Sequence, residues 1–315
     1  MRILFAGSPE IAVPALIALG GRGELAGVLT NPPAASGRGL AVSSTPVADA
    51  AAGLGVPVMT PVKLGPAERE AVAALQPDIL VSFAYGTLFG PKFMALFPTG
   101  GINAHPSLLP RWRGSSPIPY AIMHRDRATG VSIQWIAPRM DCGDVLARRE
   151  IVLDGTETTG SLTRFSAGIG AELLLQVLDE ISAGRMKGEP QDESAATYTS
   201  MLSKDDGMVD WNTPALDIDA RVRAFTPWPG AFTGFAGQRL ALLAVKPYPE
   251  PSGSASRMPP GTVLSVDKSR GIMVQTCEGL LALEQLQLRG KKAMGFKDFS
   301  NGARDLAGSS LGMPL

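Results

Sequence analysis

A histidine and an asparagine two residues apart have the types and spacing that suit catalysis. The chain has only two histidines, His105 and His124, and histidine is the side chain that changes charge near neutral pH. In extended backbone Asn103 and His105 point to the same side. An amide donor beside an imidazole suits the stabilisation of an oxyanion or the transfer of a proton. His124, late in a helical pattern, is better explained as an exposed helix end.

Both candidate residues also have a structural explanation. His105 precedes Pro106 and could simply hydrogen-bond loop carbonyl groups, and Asn103 could cap the same turn. Their position favours a function, because residues 101–103 read as a short strand and a rigid loop follows it. Strand ends of this kind form the catalytic edge of many α/β proteins.

Two carboxylates, Asp141 and Asp144, follow the apolar run 131–136. A carboxylate there could accept a proton from an attacking amine, or it could hold His105 charged and oriented. A D-x-G sequence is also common in Asx turns. The residues alone do not distinguish the two acids.

The elements that must position these side chains alternate in the first half of the chain. Short apolar runs predict strands at 2–6, 25–30, 56–59, 78–83 and 101–103, and helical spacing predicts helices at 11–19, 46–54, 66–75 and 91–96. The alternation predicts an α/β fold with a Rossmann-like, doubly wound parallel sheet. The site is then expected at the carboxyl ends of the strands.

The texture changes after a long helical pattern at 160–183. A polar stretch follows, and short β-type runs then continue to the end of the chain, which predicts a small OB-like β-barrel. We therefore predict a catalytic domain over 1–187, a linker over 188–205 and a barrel domain over 206–315. Residues 249–260, rich in proline, serine and glycine, are expected to form a flexible loop in the barrel.

Several classes of site are disfavoured. The chain lacks both G-x-G-x-x-G and the P-loop string, and Cys142 and Cys277 lie too far apart to suggest a disulfide framework or a zinc site.

Its 315 residues are 45% hydrophobic and 18% charged, with zero formal net charge. No stretch has the pattern of a signal peptide or the length of a membrane span. We expect a cytoplasmic location.

Three blocks of sequence carry a resemblance to a known family. They are Asn103-Ala104-His105, Ser107-Leu108-Leu109-Pro110-Arg111-Trp112-Arg113-Gly114 and Met140-Asp141-Cys142-Gly143. With these blocks the chain resembles the folate-dependent formyltransferases over nearly its whole length. The string Gly290-Lys291-Lys292-Ala293-Met294 resembles the branch of that family that acts on tRNA.

The resemblance implies a reaction and a set of site residues. It implies transfer of a formyl group from 10-formyltetrahydrofolate to the α-amine of methionine on initiator tRNA. Asn103, His105 and Asp141 fall on the family's catalytic positions, which resolves the ambiguity between the two acids. The family's folate-binding loop corresponds to Ser107, Leu108, Leu109 and Pro110. By the same resemblance, the protein is expected to be a monomer that needs no metal.

Candidate tRNA contacts lie in both domains. Arg38, in Gly37-Arg38-Gly39, matches the family's arginine for the acceptor stem, although Leu40 and Ala41 replace the lysines often found there. Fewer cations in this loop imply fewer phosphate contacts. The barrel domain is locally basic around its end, where Arg289, Lys291 and Lys292 are further candidates, although an exposed charged face is the commoner explanation of such a run.

Two other functions stay open from the sequence. The first is an N-formyltransferase for a nucleotide-linked amino sugar, which would share the donor and the catalytic residues. The second is a folate- or nucleotide-binding module without catalysis, which the presence of all three polar groups disfavours.

Overall fold

The computed structural model describes residues 1–36, 41–249, 258–303 and 305–313. The chain divides into two compact units. The first contains residues 1–117, 128–152 and 162–200, and the second contains 118–127, 153–161 and 201–315. Within the described ranges, no helix combines the length and apolar character needed to cross a membrane.

A seven-stranded sheet forms the centre of the first unit. The strands of this unit are β1 (Ile3–Gly7), β2 (Leu25–Leu29), β3 (Ala34–Ser36), β4 (Ala41–Ser43), β5 (Val58–Met59), β6 (Ile79–Phe83), β7 (Gly101–His105), β8 (Arg113–Gly114), β9 (Ala128–Trp135), β10 (Val145–Val152) and β11 (Tyr198–Thr199). In the large sheet the strands follow the order β10, β9, β7, β6, β1, β2, β5. Two small pairs, β3 with β4 and β8 with β11, lie outside it.

The parallel part of this sheet confirms the predicted Rossmann-like arrangement. Strands β5, β2, β1, β6 and β7 are parallel to one another, and their order along the chain reverses between β1 and β6. Every residue of β1 and β6 is buried, as expected for central parallel strands covered on both faces. Strands β9 and β10 extend the edge beside β7 in antiparallel fashion. The sheet is therefore mixed at that edge.

Helices lie between the strands or after them. Between the parallel strands are α1 (Val13–Gly21), α2 (Pro46–Ala51), α3 (Pro66–Ala74) and α4 (Pro91–Met94), while α5 (Pro117–Met123) precedes β9 and α6 (Thr159–Ser182) follows β10. The start of α2 shows how the sequence fixes these ends, since Thr45 accepts a hydrogen bond from the main-chain N–H of Ala48 over 3.1 Å and Pro46 takes the first helical position.

The second unit is built on an antiparallel sheet. Its elements are α7 (Ala215–Ala224), β12 (Ala231–Phe235), β13 (Gln238–Tyr248), β14 (Val263–Asp267), β15 (Gly271–Gln275), β16 (Leu280–Leu288), β17 (Met294–Gly295) and α8 (Phe296–Gly302). The strand order is β12, β13, β16, β15, β14, with β17 beside β16. Gly312 bridges to Gly234 in β12, and Ser310 bridges to Thr262 just before β14. The end of the chain thus pairs at both edges of the sheet, as in a small barrel.

The unit boundaries differ from the predicted domains. Residues 188–200 of the predicted linker 188–205 belong to the first unit, where β11 pairs with β8. Residues 118–127 and 153–161, predicted within the first domain, cluster with the second unit instead. Residues 188–200 have the polar composition that is typical of a linker. In the structure, however, polar side chains of this segment make hydrogen bonds within the first unit. Residues 250–257 of the predicted barrel loop lie outside the described residues.

Candidate active site

Strand β7 carries Asn103 and His105 at its carboxyl end. Its register pairs Asn103 with Gln134 and His105 with Ser132 on the antiparallel strand β9. Because alternate residues of a strand share a face, the two side chains point to the same side of the sheet. His105 is 4% exposed and Asn103 is half-buried. The structure therefore brings the two residues together at one strand end.

The two ring nitrogens of His105 face different partners. Nε2 lies 2.8 Å from the carbonyl oxygen of Trp112. A carbonyl oxygen only accepts hydrogen bonds, so Nε2 must carry a proton. The other ring nitrogen, Nδ1, lies 3.6 Å from Oδ1 of Asp141. The imidazole therefore lies between a carbonyl oxygen and a carboxylate.

Asp141 accepts hydrogen bonds on both carboxylate oxygens. The main-chain N–H of Gly114 donates to Oδ2, and Nε2 of Gln134 donates to Oδ1, each over 2.9 Å. Nδ2 of Asn103 lies 3.5 Å from the same Oδ1. Only 11% of the Asp141 side chain is exposed. Asn103, His105 and Asp141 thus converge on one small region beside the end of β7.

Two glycines allow the loops around Asp141 to come this close. A Cβ at Gly143 would lie 1.7 Å from the carbonyl oxygen of Trp135, which no side chain could tolerate. Gly114 has φ +110°, and a Cβ there would lie 2.5 Å from the carbonyl oxygen of Thr199. Both positions therefore require glycine, the first to seat the loop after β9 and the second to present its N–H to Asp141.

The second acid of this loop, Asp144, takes no part in the cluster. Its side chain is exposed and lies beside Gly188, where an added Cβ would be 2.6 Å from the Cβ of Asp144. In the described parts of the chain, no hydrogen bond or ion pair joins its carboxylate to Asn103 or His105. The geometry therefore separates two acids that the residue pattern leaves equivalent.

The predicted folate loop, Ser107 to Pro110, is fixed from both ends. Oγ of Ser107 donates to the carbonyl oxygen of Arg111 over 2.6 Å. Ser132 donates to the carbonyl oxygen of Ser107 over 2.7 Å and accepts from the N–H of Leu109 over 3.1 Å. Because Ser132 is also the register partner of His105, one strand of the sheet positions both the loop and the imidazole.

Burial divides the side chains of this loop into two kinds. Ser107 and Leu109 are almost fully enclosed by protein, whereas Leu108 and Pro110 are half-buried. A ligand lying on this loop would therefore meet Leu108, Pro110 and main-chain groups. The assignment of the loop to folate stays a prediction.

Polar groups also line the neighbouring strand ends at the reversal of strand order. Oγ of Ser8, after β1, accepts from the main-chain N–H of Asn31 over 3.1 Å. Asn31 follows β2, and its Nδ2 donates over 3.3 Å to the carbonyl oxygen of Tyr85, which follows β6. Burial raises the pKa of the Tyr85 hydroxyl, so this group stays protonated at neutral pH. Hydrogen bonds therefore join the segments that follow β1, β2 and β6 at the carboxyl edge of the sheet.

The candidate tRNA contacts occupy a different part of the chain. Arg289, Lys291 and Lys292 follow β16 in the second unit, and all three are exposed. The turn is closed by the N–H of Lys291, which donates to the carbonyl oxygen of Leu288 over 3.0 Å. Arg38 lies outside the described residues. The structure thus gathers three of the predicted cations in one turn, and their role stays a prediction.

Gln134, Gly114 and Gln191 belong to the surroundings of Asp141, and sequence reasoning missed all three. Gln134 carried a usable signal, because it is a polar residue within the apolar run that forms β9. Gly114 ends the block that begins at Ser107, but the sequence does not show which main-chain N–H group donates to a side chain. Gln191 carried no signal, since it sits among other polar residues. Across the described residues, no group of three or more histidine, cysteine or acidic side chains is arranged to hold a metal ion.

Comparisons with known proteins identify one family. The formyl transferase family matches residues 1–178, and the formyl transferase C-terminal domain matches residues 201–304. The chain is 46% identical over 314 residues to a methionyl-tRNA formyltransferase of Treponema denticola, which covers 97% of this chain and 98% of that protein. It is 42% identical over 315 residues to one of Roseiflexus castenholzii, with 99% of each covered.

Solved structures share the fold at lower sequence identity. An N-formyltransferase from Helicobacter canadensis, in complex with folinic acid and dTDP-3-aminofucose, superposes with a TM-score of 0.65 and 15% identity, covering 90% of this chain and 99% of that one. HypX from Aquifex aeolicus, in complex with tetrahydrofolic acid, superposes with a TM-score of 0.63 and 19% identity, covering 98% of this chain and 48% of that one.

Proposed function

The chain belongs to the methionyl-tRNA formyltransferase family, and we propose that it transfers the formyl group of 10-formyltetrahydrofolate to the α-amine of methionyl initiator tRNA. The product, N-formylmethionyl-tRNA, serves translation initiation in the cytoplasm. The observation that carries this proposal is the convergence of Asn103, His105 and Asp141 at one strand end.

Asn103 and His105 stabilise the charge that develops during the reaction. The methionine amine attacks the formyl carbon, and the formyl oxygen becomes an oxyanion. Asn103, through Nδ2, and the imidazole of His105 donate hydrogen bonds to that oxygen. Both groups are held in place by the sheet and by Trp112 before the substrates bind, and such preorganised donors are usually the largest single contribution to catalysis.

Asp141 handles the proton of the attacking amine. Its carboxylate faces Nδ1 of His105 through Oδ1, so it orients the imidazole, and it accepts the amine proton. The bond between the formyl carbon and the folate nitrogen then breaks, and that nitrogen takes up the proton. The amine loses one proton and the folate gains one, so the reaction balances without a covalent enzyme intermediate.

Ser107 to Pro110 serve as the donor-binding loop in this proposal. The loop is tied to β9 through Ser132 and begins two residues after His105. A folate ring on this loop therefore brings its formyl group toward the catalytic end of β7. Support for a folate donor comes from the family and from the tetrahydrofolic acid in the related fold of HypX.

The acceptor is a polyanion, and exposed cations serve to hold it. Arg289, Lys291 and Lys292 present positive charge in one turn, which suits contacts to the phosphates of tRNA. Arg38 adds a further contact from the first domain. We expect the protein to act as a monomer and without a metal.

A parallel assay with two acceptors tests the proposal. The purified protein is supplied with 10-formyltetrahydrofolate and either methionyl initiator tRNA or a nucleotide-linked amino sugar. We expect formylmethionine on the tRNA and no formylated sugar, and uncharged initiator tRNA is the control because it lacks the methionine amine. Product with the sugar alone would contradict the proposed acceptor, and folate binding without product from either would contradict the proposed chemistry.

A further inference from the structure

Gln191 connects the loop of Asp141 to the rest of the first unit. Its Nε2 donates to the carbonyl oxygens of Asp141 over 3.0 Å and of Gly143 over 2.7 Å. A longer contact of 3.3 Å joins the same nitrogen to Oε1 of Gln134, whose own amide donates to the Asp141 carboxylate. One side chain thus touches the backbone on both sides of Cys142 and a residue that binds the catalytic carboxylate.

The orientation of the Gln191 amide is fixed by Arg113. Oε1 of Gln191 accepts from Nε of Arg113 over 3.1 Å and from Nη2 over 2.8 Å. A guanidinium only donates hydrogen bonds, so the amide oxygen must face it and the amide NH₂ must face the loop of Asp141. If the amide were flipped, its NH₂ group would face the N–H groups of Arg113, and its oxygen would face the carbonyl oxygens of Asp141 and Gly143.

Arg113 is itself buried and fully hydrogen-bonded. The residue is 1% exposed, and its guanidinium makes two further bonds to Glu193 and one to the Tyr198 hydroxyl. With the two bonds to Gln191, all five of its N–H groups have acceptors. The carboxylate of Glu193 holds the pKa of Arg113 above its usual range, so the guanidinium stays charged.

Asp141 is a residue that needs such support. Its φ is +52°, in the left-handed region that non-glycine residues adopt rarely. Gly114, whose N–H donates to the carboxylate of Asp141, directly follows Arg113. Arg113 therefore reaches Asp141 by two routes, through its neighbour in the chain and through the amide of Gln191.

We propose that Gln191 is a positioning residue for the catalytic carboxylate, and that Arg113 and Glu193 hold it in its working orientation. Gln191 acts through Asp141 and has no contact with substrate in this proposal. The proposal rests on the proposed function, because it assigns to Asp141 the handling of the amine proton. It also gives the predicted linker 188–205 a role in catalysis.

Removal of the amide should slow turnover without weakening binding. Loss of a group that orients a catalytic residue, or misplacement of that residue by about 1 Å, lowers rates by roughly 10–100-fold. We expect this loss in kcat for Gln191→Ala, with the KM values for donor and tRNA unchanged, because Gln191 contacts neither substrate in this proposal. Gln191→Glu, nearly equal in shape but without N–H donors, should lose as much.

A double-mutant cycle with Asp141→Asn separates positioning from general stability. If Gln191 acts through the carboxylate, Gln191→Ala costs its 10–100-fold in the wild-type background and adds almost nothing once Asp141 is replaced. Gln275→Ala is the matched control, because it removes a buried amide that donates to a carbonyl oxygen over 3.0 Å in the second unit. It should leave kcat unchanged.

The possible outcomes can be told apart in one set of single-turnover assays. An equal loss from Gln191→Ala in both backgrounds, or wild-type kcat in Gln191→Glu, would overturn the positioning role while leaving the proposed function intact. Absence of transfer by the wild-type protein would overturn both. If Gln191→Ala does not fold, the shape-conserving Gln191→Glu carries the same cycle.

Discussion

The end of β7 and the basic turn after β16 differ in burial and in hydrogen bonding, and the proposed function gives them different roles. At the end of β7, Asn103, His105 and Asp141 are buried or half-buried and are tied to one another and to the sheet. In the turn, Arg289, Lys291 and Lys292 are exposed. Within the residues that the structure describes, no ion pair involves their side chains.

In the proposed reaction the two regions recognise different chemical groups. A developing oxyanion occupies one position for a short time, so donors must already stand in place. Phosphates of a nucleic acid are many and are recognised by charge, which salt screens. Changes in the first region should therefore alter kcat, and changes in the second should alter the KM for tRNA and its dependence on salt.

The largest expected effect is the loss of His105. A positioned acid or base contributes about 10²–10⁴-fold to rate, so His105→Ala should lower kcat at least about 100-fold while the KM for tRNA stays close to wild type. His124→Ala is the matched control, since His124 is exposed at the end of α5. Steady-state kinetics with circular dichroism as a check on folding measures both. A near-normal kcat for His105→Ala would remove the imidazole from the mechanism.

The second prediction concerns the attachment of the donor loop. Ser132→Ala leaves the buried N–H of Leu109 and the carbonyl of Ser107 without the partner they have now. Each unpaired buried group costs about 1–3 kcal/mol, so we expect a lower free energy of unfolding and a raised KM for the folate donor.

A buried serine elsewhere provides the control for this change. Ser166 in α6 is 1% exposed, and its Oγ has no hydrogen-bond partner in the described structure. Ser166→Ala should therefore leave both the stability and the donor KM near wild type. Equal effects of the two substitutions in chemical denaturation and in donor titrations would show that Ser132 has no special role in the loop.

The third prediction addresses the basic turn. Lys291→Ala and Lys292→Ala should each raise the KM for tRNA and leave kcat unchanged. Each phosphate contact that is lost flattens the slope of log affinity against log salt by about 0.7–0.9. Lys63→Ala, an exposed lysine of the first unit, should change neither. If both lysines are replaced together and the slope of log affinity against log salt does not change, this turn is excluded from the tRNA contacts.

The smallest expected effect is the pH dependence of the Arg113–Glu193 pair. The hydrogen bond from Arg113 lowers the pKa of the Glu193 carboxyl. Its folded pKa therefore lies below its unfolded pKa, and the stabilisation is present near neutral pH and lost as the pH falls below about 4. Thermal unfolding should show Glu193→Gln below wild type at neutral pH, with the gap closing in acid. A gap that widens in acid would contradict this sign.

The sequence predicted most of what hydrophobic pattern controls. The predicted strands 2–6 and 78–83 correspond to β1 and β6, whose residues are buried throughout. The long helix predicted at 160–183 is α6. These elements have strong patterns because the core alone decides their residues. The antiparallel edge was not foreseen, since the apolar run 131–136 reads the same in either strand direction.

The sequence predicted less of the site, for a physical reason. The choice between Asp141 and Asp144 depends on the conformation of the loop that carries them. That conformation includes a positive φ at Asp141 and a close approach of Gly143 to Trp135. Neither feature is written in the pattern of residue types. The contacts of Gln191 were missed because polar side chains that pack by hydrogen bonds resemble a solvated linker.

The assignment of Asp141 is tested most directly by comparing the two acids of the loop after β9. Asp141→Asn and Asp144→Asn make the same chemical change three residues apart, and each keeps the shape of the side chain. We predict that Asp141→Asn lowers kcat for formyl transfer to methionyl initiator tRNA at least about 100-fold, and that Asp144→Asn retains wild-type kcat. Wild-type kcat in Asp141→Asn, or a loss confined to Asp144→Asn, would contradict the assignment of Asp141 to the catalytic cluster.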